Sequence, residues 1–139
     1  MLSKVAVGAT IAVALAFAGT AFAGKTSSSS ITGPYVVTTS TSSAPVAGST
    51  AAPQFGDTVT FNVSTTQTGN PFVRLVCSGT AENPVGYESW AAFWPSAGSF
   101  VLSSGGWTNG AADCTANLVM YVNSSKYKVI ASTSFHVDA

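Results

Sequence analysis

The chain has 139 residues, of which 46% are apolar, 11% aromatic and only 7% charged, with five basic and five acidic side chains. That length suggests one domain. Few cations and no net charge argue against a nucleic-acid or anionic-membrane binder, because both need a positive field. The apolar fraction argues against global disorder.

Met1 to Ala23 has the three parts of a secretory signal peptide in order. Lys4 supplies the positive start, Val5 to Ala18 the apolar stretch, and Ala21-Phe22-Ala23 a small-x-small cleavage site. The apolar run falls short of the roughly 20 residues that a membrane-spanning helix needs. No Cys follows the site to carry a lipid, and Phe135 to Ala139 holds no hydrophobic tail for a GPI anchor. The expected product is therefore secreted, extracellular and free of the membrane. It begins at Gly24 and has 116 residues; losing Lys4 leaves four basic against five acidic side chains. The 34 Ser and Thr residues of that stretch supply solubility through hydroxyls, and Thr also favours strands.

Residues 24–32 form a Ser/Thr-rich segment expected to be flexible, followed by a β domain over 33–139. No 3.6-residue apolar period stands out, whereas short alternating segments recur between turn residues. Seven strands are predicted. The first is Tyr35 to Thr39, followed by a Ser-, Ala-, Pro- and Gly-rich loop from Ser40 to Gly56. The second, Asp57 to Thr65, turns Val59, Phe61 and Val63 inward. The Thr68-Gly69-Asn70-Pro71 turn leads to the third, Phe72 to Ser78, with Val73, Leu75 and Cys77 inward and Arg74 outward. The fourth runs from about Gly86 to Ala92 and the fifth from Ser99 to Ser103. The sixth, Asp113 to Val122, points Cys114, Ala116, Leu118 and Met120 inward. The seventh, Tyr127 to Val137, places Tyr127, Val129, Ala131, Thr133, Phe135 and Val137 on one face.

Cys77 and Cys114 then lie on inward faces in an oxidising compartment, so a disulfide is expected. Loop-closure entropy values it at about 4 kcal/mol. One His and two distant Cys do not make a zinc set, and no metal or cofactor is expected.

Seven short strands with a Cys on the third and sixth resemble the immunoglobulin-like β-sandwiches of bacterial secreted and phage proteins. The most similar stretches are Gly110 to Leu118 and Ile130 to Val137. The resemblance implies a seven-stranded antiparallel sandwich and carries no activity. Antibody-type domains instead join the second and sixth strands across the sheets, with a Trp packed on the bond. With Phe72 to Ser78 as the third strand, the bond joins neighbours in one sheet. In a rival register Phe72 to Ser78 is the second strand and Trp90 is the core Trp. The first register gives the strand Asp57 to Thr65 a place.

No catalytic constellation emerges, and the chain is not expected to be an enzyme. His136, the only His, has outward parity, and no G-x-S-x-G elbow is present. Glu82 and Glu88 flank one loop, while Asp57 and Asp113 sit where short acids bond turn backbone. Two N-x-S triplets, at Asn62 and Asn123, matter only in a glycosylating pathway, and the Ala-rich leader points to a bacterial one. The sharpest feature is aromatic: Tyr87, Trp90, Phe93, Trp94 and Trp107 crowd the stretch 87–107. Exposed Trp and Tyr serve as platforms for sugar rings and as protein hot spots, so Trp107, Trp94, Trp90 and Tyr87 are the candidate binding residues. The loops Ser78 to Gly86 and Ser104 to Ala112 should meet at one end of a sandwich. Thr65 to Pro71, Phe93 to Gly98 and Asn123 to Lys126 should meet at the other. Three functions fit: a structural or adhesive domain binding a protein, a carbohydrate-binding module using exposed aromatics, or a self-associating surface-layer or filament subunit.

Overall fold

The computed structural model describes residues 28–37 and 52–139. The leader, and residues 40–51 of the long loop, lie outside the described residues, as do Thr38 and Thr39 of the expected first strand. Seven strands follow one another: β1 (Ser29–Val36), β2 (Thr58–Thr65), β3 (Phe72–Ser78), β4 (Gly86–Ala92), β5 (Phe100–Val101), β6 (Ala112–Asn123) and β7 (Lys126–Val137). They form two antiparallel sheets in the orders β1-β2-β5 and β4-β3-β6-β7.

Period-two alternation explains why these segments pair. Val59 and Phe61 of β2, Val73, Leu75 and Cys77 of β3, and Cys114, Ala116 and Leu118 of β6 are all buried in one apolar core. Their alternate neighbours point to the opposite face of the sheet, where most are partly exposed. Rings from both sheets lock the layers together. Phe61 of β2 packs 6.0 Å from Phe100 of β5 and 5.9 Å from Phe135 of β7. Among the described residues no polar or charged side chain is buried.

Cys77 and Cys114 are disulfide-bonded. They stand directly opposite in the β3–β6 register, with their Cα atoms 4.1 Å apart. Phe72–Ser78 is therefore the third strand and the bond lies within one sheet. Trp90 is not a core residue behind the bond, since it is 37% exposed.

The first strand starts earlier than expected. Ser29 to Thr32, read from composition as flexible, pairs with β2 in register from Ser29–Thr65 to Thr32–Asn62. One apolar residue and a few hydroxyls suffice: Ile31 is buried opposite Val63, and Ser29 Oγ bonds Thr65 Oγ1 at 2.7 Å. The register then shifts between Thr32 and Tyr35, where Gly33 takes φ 126°, a conformation open to Gly. The fifth strand is shorter than expected, two residues against Ser99 to Ser103.

The faces of β7 also differ from the expectation. Ala131 pairs with Leu118, but Val129 pairs with Val119, so Ile130 is an extra residue in β7. An inserted residue reverses the side-chain alternation beyond it. Ala131, Thr133, Phe135 and Val137 keep one face, while Val129 and Tyr127 move to the other. Met120, expected inward, is only half-buried. Val119 is fully buried yet lies outside the central core. It sits on the outer face of the sheet, between its register partners Phe72 and Val129.

Candidate functional site

The four aromatic candidates divide between the two ends of the molecule. Tyr87 and Trp107 are 7% and 1% exposed and belong to the core, which corrects the expectation of a loop-borne platform at Trp107. The Trp107 ring meets Phe55 at 5.6 Å and Tyr87 at 5.7 Å, both edge-to-face. Its indole N–H donates to the Gly110 carbonyl at 3.0 Å. Tyr87 donates its hydroxyl to the Val101 carbonyl at 3.0 Å, tying β4 of one sheet to β5 of the other. Burial pushes its phenol up from the ordinary value. The loops after β3 and β5 do meet here, through Gly86 N–H to the Gly106 carbonyl (3.3 Å) and the Asn83 amide to the Asn109 carbonyl (3.3 Å). This end is plugged.

The opposite end carries the exposed aromatics. On the outer face of β4-β3-β6-β7, Trp90 stands opposite Arg74, Phe72 beside Val119, and Tyr121 opposite Tyr127. Tyr127 approaches Trp90 at 5.1 Å and 81°, Tyr121 meets Phe72 at 5.3 Å and 87°, and Trp90 stacks on Tyr121 at 6.4 Å and 28°. Each ring comes from a different strand. Three of them stay well exposed: Trp90, Tyr121 at 45% and Tyr127 at 42%. Sequence reasoning missed Phe72, Tyr121 and Tyr127. The available signal was the unbroken apolar run Leu118 to Val122, which places apolar residues on both faces of a strand.

One ion pair borders this patch. Arg74 Nε donates to Glu88 Oε1 at 2.8 Å, and the Trp90 indole N–H donates to the same oxygen at 3.0 Å. The Arg74 guanidinium lies 5.7 Å from the Trp90 ring centroid, within cation–π range. The bonds from Arg74 and Trp90 hold the Glu88 carboxyl below its ordinary pKa, and Glu88 in turn raises that of Arg74. The pair is formally neutral, and both of its members contact Trp90.

Trp94 is the most exposed indole, at 64%. It rims a depression between the β2–β3 turn and the β4–β5 loop, two of the connections expected to meet at this end. The remaining polar candidates gather elsewhere. His136 is on the surface, with Nδ1 2.7 Å from Asp113 Oδ1 and Nε2 3.8 Å from Asp138 Oδ1. Its hydrogen bond to Asp113 raises its pKa. Asp113 thus bonds a histidine, where a turn-capping role was expected. Asp57 does cap a turn, accepting from Gln54 N–H at 2.8 Å. Glu88 contacts Arg74 and Trp90, not Glu82. Among the described residues no group of three or more His, Cys, Asp or Glu is placed to share a metal ion.

No protein family, curated protein or solved structure matches the chain.

Proposed function

We propose that the chain is a secreted, non-catalytic immunoglobulin-like domain that binds a protein partner through the Phe72, Trp90, Tyr121 and Tyr127 face. The strand orders β1-β2-β5 and β4-β3-β6-β7 support the immunoglobulin-like assignment, with the fourth strand paired to the third. The leader pattern and the disulfide support secretion. The observation that carries the binding role is the patch itself. A chain that buries Tyr87 and Trp107 leaves three other aromatic rings converging in water. Contiguous exposed apolar patches mark interaction sites, and Trp, Tyr and Arg dominate hot spots. Tyr127 stands at 81° to Trp90 and 72° to Tyr121. Such a cluster offers edges and knobs suited to protein side chains; a sugar chain lying across it would need coplanar faces.

The test places a photo-crosslinking residue at Val129, on the patch margin, and exposes the secreted protein to the producing cells' surface fraction. A discrete cross-linked protein species is expected, lost in Trp90→Ala/Tyr127→Ala with thermal stability retained. Cross-linking that is unaffected by the double variant overturns the reading.

A further inference from the structure

The Trp94 depression lies apart from that sheet face and has a different chemistry. It is an open depression of about 420 Å³, a volume within the roughly 300–1,000 Å³ usual for small-ligand sites. Its lining includes the buried Pro71 and Phe93, the exposed Trp94 and the hydroxyl residues Ser64, Thr65 and Thr68. Among the described residues none that lines it is charged. An ionic ligand would find no counter-charge there, whereas a neutral ligand with an apolar face and hydroxyl edges meets both of its needs. We propose that this depression binds one pyranose ring of a neutral glycan, with the C–H face of the sugar on Trp94.

The site is held in shape before any ligand arrives. Phe93 N–H donates to the Pro71 carbonyl at 2.9 Å, and the Phe93 ring stacks on Phe100 at 6.4 Å and 24°. Thr60 Oγ1 donates to the Gly98 carbonyl at 2.7 Å. The loop that carries Trp94 is thus anchored on both sides of the indole. On the facing turn, Thr65 Oγ1 bonds Ser29 Oγ and accepts from Gln67 N–H, so that hydroxyl is committed to the fold. Thr68 Oγ1 accepts from Asn70 N–H at 3.1 Å, which leaves its proton free to donate to a sugar hydroxyl. Exposed Trp faces favour flat apolar partners, and preorganised loops lose little entropy on binding.

The experiment follows the indole N–H resonances of the secreted protein during titration with neutral tetrasaccharides: β-1,4-glucan, β-1,3-glucan and mannan. Tetragalacturonate and a chitosan tetramer are the charged controls. The Trp94 resonance is expected to shift with at least one neutral sugar, with a dissociation constant on the order of 1 mM. Trp94→Ala abolishes the shift seen by other resonances of the site. Trp94→Tyr retains part of it. Thr68→Ala weakens binding about three- to tenfold, the range for one lost hydrogen bond. Trp90→Ala/Tyr127→Ala leaves sugar binding unchanged, which separates this site from the protein-binding face. The proposal is overturned if no neutral sugar moves the Trp94 resonance by about 20 mM, if only the charged controls do, or if Trp94→Ala still binds.

Discussion

Three indoles sit in three environments: Trp107 at 1% exposure, Trp90 at 37% and Trp94 at 64%. Acrylamide quenching of single-Trp variants should rank them in that order, with Trp107 untouched in the folded protein. Trp107→Ala removes the plug between Phe55 and Tyr87 and should cost about 3–5 kcal/mol in denaturant unfolding. The sequence alone misleads here, because Gly106-Trp107 reads as an exposed loop. What closes over the ring is Phe55 from a distant segment and the carbonyl of Gly110, which adopts φ 84°. His136 is legible as a surface residue by parity, but its partner is not, because Asp113 reaches it only through the β6–β7 register. Since Asp113 raises the His136 pKa, the stability this pair contributes is fully present below the ordinary His value near 6.5 as long as Asp113 is ionised, and is lost as pH rises through the higher folded value. An NMR titration should place His136 above that ordinary value and lower it in Asp113→Asn, with Asp138 still acting to raise it. The effect on stability should be small, because both groups are exposed.

Among the elements, β3 and β4 match the residue ranges predicted for them, and β2 starts one residue later than predicted. Clean alternation next to Gly56, Pro71 and Gly79 leaves β2 and β3 little choice, while β4, whose sequence pattern is weaker, is held by its register against β3. β7 shows where that logic stops. Its alternation is regular in sequence, but pairing with β6 expels Ile130 and turns Tyr127 outward, and only the partner strand reveals the slip. β7 is also the edge of its sheet. Its last residues are held by backbone bonds between Asp138 and Pro53 and Phe55. Its open half carries Lys126 and Lys128 and the Ile130 bulge, all devices that disfavour edge-to-edge pairing. Lys126→Thr/Lys128→Thr should therefore raise self-association in sedimentation velocity at high concentration, while the parent chain stays monomeric. A dimeric parent chain would favour the self-associating subunit instead.

For the molecule as a whole, the division between a plugged end and an aromatic end comes from topology, which sequence conveys only as loop adjacency. The disulfide ties β3 to β6 within one sheet, with 37 residues of sequence separation. Reducing it, or Cys77→Ala/Cys114→Ala, should cost about 4 kcal/mol, read as a lower denaturant midpoint with the fold retained. The same bond has a mechanical meaning. Tension that enters at β1 and leaves at β7 crosses directly from Cys77 to Cys114. It bypasses β4, β5 and the loop that holds Trp107. Stretched in a force spectrometer, the oxidised domain should extend about 120 Å less than the reduced one. Trp90 and Trp94 both lie on the bypassed segment, so these two indoles sit on a part of the chain that carries no load from the backbone, whereas Phe72, Tyr121 and Tyr127 lie on the strands that do.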